Sequence, residues 1–185
     1  MSLFEFQDGD ALGKVATVDT STVVVDVFNL EQLKRLQVNR LTVLQSSKPG
    51  QHLIGLINKV TRKKLDADDI DDDQGDHVNE QNLCRISLIG TLLDRDGERE
   101  NVFRRTLESV PEIDANCFSL EGDFLTGFMR ILSSTAEEGK SLTLGRYTLD
   151  EEAVAYLNGN RFFQRHAFIG GSTGSGKSCQ MHLLL

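Results

Sequence analysis

The chain has 185 residues, of which 39% are hydrophobic and 26% charged, with a formal net charge of -8 and a pI near 5.0. This composition is typical of a soluble folded protein, and its acidic balance gives no overall basic surface for nucleic acid. There is no N-terminal leader pattern and no apolar run of about 18 residues, which predicts a cytoplasmic protein with no membrane partner.

The cysteines and histidines do not have the spacing of a metal site. No C-x-x-C pair occurs, and the cysteines lie far apart, which argues against a zinc site or a disulfide framework and predicts reduced, structural thiols. The histidines are predicted to be ordinary surface or core residues. The cysteines are Cys84, Cys117 and Cys179, and the histidines are His52, His77, His166 and His182.

The stretch from Leu12 to Arg62 is rich in short strand patterns. "LGKVATVD" and "STVVVDVF" alternate apolar and polar residues and predict a hairpin. "NLEQLKRLQ" has leucines at helical spacing and predicts one or two turns of helix, after which "VNRLTVLQSS" and "QHLIGLINKVTRK" predict two more strands. Gly55 in the second of these predicts a bulge or a tight corner. Many short strands separated by turns predict a small antiparallel β-barrel.

An acidic run follows, with seven aspartates between Asp66 and Asp76. It does not fit a calcium-binding EF-hand, because placing Gly75 at the glycine position puts Ile70 and Gln81 at the first and last ligand positions. We interpret residues 65–80 as a solvated loop inserted between barrel strands. An acidic decoy surface or an adventitious metal site are the alternatives.

Strand patterns resume after the insertion. "NLCRISLIGTLLD" and "ENVFRRTLE" flank "RDGE", which predicts a hairpin with a turn at the Asp-Gly pair. Arg104 and Arg105 in the second strand are predicted to lie on a solvated face, and the alternative is a contact to phosphate.

The stretch "FSLEGDFLTGFMRILSS" predicts a helix that starts with Ser119 as its N-cap. Its aromatic face is more typical of a core than of a ligand box. "TAEEGKSLTLGRY" predicts a linker into a final strand, with a domain boundary between Ser133 and Ser141. The apolar residues at helical spacing are Phe118, Phe124, Phe128 and Ile131.

The stretch "GSTGSGKS" fits the phosphate-loop (Walker A) pattern G-x-x-x-x-G-K-[ST], between an apolar segment "HAFIG", predicted as a strand, and the start of a predicted helix. Glycines let backbone N–H groups point inward around a phosphate. Lys177 would contact the β- and γ-phosphates, and Ser178 would be a ligand of Mg²⁺, so the predicted cofactors are ATP and Mg²⁺. The candidate cofactor-binding residues are Gly171, Ser172, Thr173, Gly174, Ser175, Gly176, Lys177 and Ser178.

The stretch "RHAFIGGSTGSGKS" resembles the ATPase entry of the HerA/FtsK superfamily, and HerA-type proteins in particular. "LGKVATVD", "HLIGLINKV" and "LGRYTLDEEAVAYLN" are similar to the small barrel that precedes the motor in HerA. The resemblance carries over at Gly171, Gly174, Gly176, Lys177 and Ser178. It implies a homo-oligomeric, hexameric ring that hydrolyses ATP to move along double-stranded DNA, working with a docked nuclease or other effector in DNA-end processing or antiviral defence against phage.

The expected fold is therefore an N-terminal small antiparallel β-barrel followed by the beginning of an α/β P-loop (RecA-like) ATPase domain. The predicted domains are the barrel at 1–110, a helical connection and linker at 111–140, and a truncated P-loop domain at 141–185. A P-loop motor also needs a carboxylate on a later strand, so we expect this chain to be the N-terminal part of a longer ATPase. No catalytic residue beyond Lys177 is expected in it, and alone it should be inactive.

Two other functions remain open at this point. The barrel alone is a candidate assembly and partner-docking module, which the net charge favours over a DNA track. The second open function is a related motor ATPase for conjugation or secretion.

Overall fold

A computed structural model describes residues 3–28, 30–64, 80–133, 141–164, 168, 170–176 and 178. The chain divides into two compact units, Met1–Phe124 and Leu125–Leu185. The strands of the first unit are β1 (Gly13–Asp19), β2 (Thr22–Val27), β3 (Leu41–Gln45), β4 (Gln51–Lys64), β5 (Glu80–Asp96), β6 (Arg99–Arg104) and β7 (Asn116–Ser119). The other elements are helix α1 (Leu30–Arg35), helix α2 (Gly122–Ser133), which runs across the division, and, in the second unit, β8 (Ser141–Tyr147), β9 (Asp150–Asn158) and helix α3 (Gly159–Phe163).

The first unit is a closed antiparallel barrel. Its strands follow the order β2-β1-β7-β3-β4-β5-β6, and β2 also pairs with β5, so that six strands form a ring and β6 extends from β5. Closure depends on the length of β5, which pairs with β2 at residues 83–87 and with β6 at residues 91–96. The predicted N-terminal barrel is confirmed.

The barrel interior is filled by side chains from alternate positions of the strands. On β2, Val23, Val25 and Val27 point inward and are buried, while Thr22 and Val24 are half-buried. The period of two places one face of each strand in the core, which is why the β-branched runs predicted this hairpin correctly. The central cluster also includes Leu12, Val15, Leu33, Leu44, Leu53, Ile57, Cys84, Ile86, Leu88 and Cys117.

Gly55 lies at a bulge, as predicted. The register between β4 and β5 shifts between Ile54 and Gly55. A Cβ atom at Gly55 would lie 2.3 Å from Cγ2 of Ile86, so the side chains of the core pass directly over the backbone here. The glycine therefore permits a close approach inside the barrel.

The prediction of a helix from Ser119 was wrong at its start. Phe118 and Ser119 belong to β7, where Phe118 pairs with Val43 of β3, and the helix begins at Gly122. The four residues of β7 pair with both β1 and β3 and so join these two strands in the ring. This strand pairing outweighs the local helical spacing of the aromatic residues. The barrel consequently continues past residue 110, where the sequence placed its end.

The acidic run lies outside the described residues. The strands on either side of it are paired to their last residues, Lys64 of β4 with Glu80 of β5. Residues 65–79 thus connect two adjacent strand ends of the barrel.

The hairpin predicted at "RDGE" is confirmed, with Asp96 paired to Arg99 across the turn and Gly97 at a φ of 63°. Arg104 lies on the surface, where its guanidinium contacts Asp96 and Glu108 at 2.7 Å each. The guanidinium of Arg104, which we considered as a possible contact to phosphate, is thus paired with two carboxylates.

The second unit contains a two-stranded sheet, in which β8 and β9 pair antiparallel. The sequence predicted only one final strand here, after a linker. Arg130 of α2 lies 5.3 Å from the ring centre of Tyr156 on β9, a cation–π contact between helix and hairpin. The side chain of Asn158 accepts a hydrogen bond from the N–H of Arg161 and caps α3. None of the helices in the described ranges is long and apolar enough to span a bilayer.

Cys84 and Cys117 are free thiols in the barrel core, and Cys179 lies outside the described residues. Burial raises the pKa of Cys84 from 9.0 to about 12. Burial also raises the pKa of Cys117, with a smaller contribution from the charge of Cys84 and an opposing hydrogen bond to Thr42.

Both buried thiols should resist alkylation while the protein is folded. At about pH 8 we expect iodoacetamide to label the peptides of Cys84 and Cys117 at least about tenfold more slowly in native protein than in urea, because the thiolate is the nucleophile. The fold should lose stability as the pH rises from 9.0 towards 12, because the unfolded thiols ionise in this range while the buried thiol of Cys84 stays protonated. Mass spectrometry of the labelled peptides measures the rates, and equal rates in both states would contradict the buried assignment.

Candidate nucleotide-binding site

The glycine-rich loop has two residues in the left-handed region of backbone conformation. Gly174 has a φ of 81° and Gly176 a φ of 80°. From Ser172 to Ser175 the chain makes a tight turn, in which the N–H of Ser175 donates to the carbonyl oxygen of Ser172 at 3.2 Å. Side chains disfavour this region by about 1–2 kcal/mol per residue, so the glycines are required by conformation.

The loop is exposed within the described part of the chain. A Cβ atom built at Gly174 or Gly176 meets no described atom within 4 Å, and every residue from 170 to 176 is exposed. Left-handed glycines alternating with ordinary residues can direct successive N–H groups towards one anion. The residues present therefore fit a phosphate group.

Several predicted parts of the site lie outside the described residues. Lys177 is one of them, as are most of the helix predicted to follow it and three residues of the predicted strand at 166–170. Phe168 and Gly170, the described residues of that segment, are not in a strand, and Ser178 is helical and exposed. The contact of Lys177 with phosphate and that of Ser178 with Mg²⁺ stay predictions.

An exposed aromatic ring stands beside the loop. Phe168 is 95% exposed, and its ring lies 3.0 Å from where a Cβ atom of Gly170 would be. Sequence reasoning gave Phe168 no role beyond an apolar position of a strand, and its only signal was its place two residues before the glycines.

Titratable side chains do not assemble a metal centre in the parts of the chain that the structure describes. His52 pairs with Asp94 instead, with its Nε2 atom 3.1 Å from the carboxylate oxygen. His77, His166 and His182 lie outside these parts.

A pocket in the first unit was not foreseen from the sequence. It has a volume of about 240 Å³ and includes Phe6, Arg40, Phe118, Glu121 and Phe124 in its lining. The rings of Phe6 and Phe118 stack at 4.5 Å, and Arg40 forms an ion pair with Glu121. Because these residues come from three separate segments of the chain, no local pattern could have predicted the pocket.

Comparison with known proteins bears on the C-terminal segment. Residues 142–185 match the family described as "Helicase HerA, central domain". The matched segment begins in the β8–β9 hairpin and includes the whole glycine-rich loop. No curated protein matches the chain. The resemblance predicted from the loop is thus confirmed over this segment, which is similar to the central domain of HerA-type ATPases.

Proposed function

We propose that the full-length protein is an ATP-driven, ring-forming translocase or helicase that acts on double-stranded DNA. It works with a nuclease or another effector in DNA-end processing or in defence against phage. The observation that supports this most is a complete phosphate-loop sequence inside the segment that matches the HerA central domain. Its glycines also have the backbone conformation that a phosphate cradle needs.

In this proposal the chain contributes the nucleotide site. The N–H groups of residues 171–176 bind the phosphate oxygens, and Lys177 neutralises charge on the β- and γ-phosphates. The hydroxyl of Ser178 is one ligand of Mg²⁺, which when bound polarises the phosphates. Gly174 and Gly176 are exposed, and no described atom lies within 4 Å of a Cβ position on either.

The test is ATP hydrolysis by the intact protein with and without double-stranded DNA. We expect duplex DNA to stimulate hydrolysis several-fold, and this stimulation to weaken steeply as salt rises, because phosphate contacts release counterions. Lys177→Ala should lower hydrolysis by at least about a hundredfold through the loss of phosphate charge neutralisation. The matched control is Lys34→Ala, which removes an exposed lysine that pairs with Glu31 on the same helix.

Other outcomes would select other functions. Hydrolysis that depends on Lys177 but ignores duplex DNA would favour a motor for another polymer, such as a conjugation or secretion ATPase. Partner binding that persists unchanged in Lys177→Ala, with no hydrolysis in the parent protein, would favour the barrel as a docking module.

A further inference from the structure

Three basic side chains stand together on the outer wall of the barrel. Lys59 and Lys63 lie on β4 and Arg85 on β5, and all three are exposed. We call these three residues the cationic face. Lys59 is the direct cross-strand partner of Arg85, so their Cβ atoms are about 5 Å apart.

A bulge in β4 gives this arrangement. The register between β4 and β5 shifts between Ile57 and Lys59, and both Asn58 and Lys59 are exposed as a result. Asn58 is held by a hydrogen bond of 2.7 Å from its side-chain nitrogen to the hydroxyl of Ser87. The bulge thus turns Lys59 outward next to Arg85, in addition to Asn58. The hydrogen bond to Ser87 fixes the direction of the Asn58 side chain.

The juxtaposition of Lys59 and Arg85 costs stability. Like charges directly opposite each other on a sheet repel, and neither side chain forms an ion pair with a described residue. The nearby carboxylate of Asp26 on β2 lies opposite Lys14 of β1, whereas Arg85 lies opposite Val24. An unbalanced cationic pair of this kind is suited to an anionic partner.

The spacing suits a repeating anion. Lys63 lies four residues beyond Lys59 on the same strand, about 13 Å away at the usual strand rise. Phosphates follow each other every 3.4 Å or so along the axis of one DNA strand, so Lys63 and the Lys59–Arg85 pair can contact separate phosphates of one backbone.

Seven of the acidic residues lie between Asp66 and Asp76, in the segment that follows Lys63 and Lys64 in the chain. These carboxylates are local to the cationic face and compete there with any anionic partner.

We propose that the cationic face binds the phosphate backbone of double-stranded DNA, independently of its sequence. The choice of polymer rests on the proposed function, and the surface that contacts it is assigned by the exposed cations of β4 and β5, which form no ion pair with a described residue. The contact positions the duplex against the barrel and does not depend on nucleotide.

The test measures binding of the intact protein to a labelled random duplex of about 30 base pairs by fluorescence anisotropy, without nucleotide, from about 50 to 200 mM salt. The test variant combines Lys59→Gln, Lys63→Gln and Arg85→Gln. The charge-matched control combines Lys48→Gln, Arg99→Gln and Arg105→Gln, which are exposed residues outside the cationic face.

We expect the test variant to bind roughly tenfold more weakly or worse, and its slope of log affinity against log salt to fall by about 2 to 3. The control variant should stay near the parent protein in both quantities. An equal loss in both variants would mean a diffuse charge effect and would overturn the proposal. No loss in the test variant, with the parent protein binding DNA, would overturn it while leaving the proposed function intact.

Two further outcomes distinguish failure of the cationic face as a DNA-binding surface from failure of the proposed function. If the parent protein binds no duplex but hydrolyses ATP, the proposed function fails in its DNA part and this inference fails with it. If the test variant only shifts the salt dependence of unfolding, without any change in DNA binding, the face serves as a counter-charge within the chain and the proposal is wrong.

Discussion

Replacing Gly176 by valine should abolish nucleotide binding by the glycine-rich loop, with a rise in the dissociation constant for a fluorescent ATP analogue of about a hundredfold or more. Gly176 has a φ of 80°, a conformation that a β-branched residue avoids. The strain, of order 1–3 kcal/mol, would be relieved by rotating the peptide groups on either side, and those groups carry the N–H donors for phosphate. Titration of the intact protein with the analogue and Mg²⁺ measures the effect.

A conformational cause can be separated from a steric one at this position. A side chain at Gly176 would meet no other atom within 4 Å, so crowding within the described protein is not the reason for the loss. Gly176→Ala should therefore also weaken binding, by about tenfold, since 1.4 kcal/mol corresponds to that factor. The control is Gly97→Ala, at a glycine of the β5–β6 turn that also has a positive φ, of 63°, and no described atom within 4 Å of its Cβ position, and this variant should bind nucleotide as the parent protein does. Binding retained in Gly176→Val would contradict the role of the loop.

The strands could be predicted because their signal is local. The valines of β2 alternate inward and outward, and the Asp96–Gly97 pair specifies its own turn, so neighbouring residues carry enough information. Pairing between distant strands has no such signal. The contact of β2 with β5 closes the ring between residues about sixty positions apart, and nothing near Val25 or Cys84 indicates it.

β7 shows how tertiary context overrides a local pattern. Phe118 has helical spacing to the aromatic residues that follow it, yet it is buried in a four-residue strand between β1 and β3. A strand this short has almost no periodicity of its own, and its conformation is set by the two strands that it joins.

The loop was predictable for a different reason. Two glycines of its sequence motif, Gly174 and Gly176, have a positive φ, so the motif itself indicates the backbone conformation. The pocket around Phe6 and Arg40 had no equivalent signal, because its walls meet only after the barrel closes. Sequence therefore predicts the parts of a site that one segment forms, and it misses those that several segments assemble.

Replacing Gly13 by alanine should destabilise the barrel by about 3 kcal/mol, near the upper end of the range for overpacked interiors. A Cβ atom at Gly13 would lie 2.1 Å from the carbonyl oxygen of Asp26 and 2.9 Å from its carbonyl carbon, which are backbone atoms of β2. Backbone cannot rotate away as a side chain does, so β1 and β2 must separate where Gly13 also pairs with Cys117 of β7. The expected fall in Tm is about 6–12 °C, measured by thermal unfolding of the intact protein.

The matched control is Gly9→Ala, because a Cβ atom at Gly9 meets nothing within 4 Å. We expect its stability to lie within about 0.5 kcal/mol of the parent protein. A Gly13→Ala variant as stable as this control would mean that β1 and β2 do not approach as closely as the structure has them. Loss of stability in Gly13→Ala with unchanged nucleotide binding at low temperature would instead show that the barrel and the phosphate loop are separate in function. That outcome is the one we expect, because the contacts of Gly13 and those of Gly176 belong to different compact units of the chain.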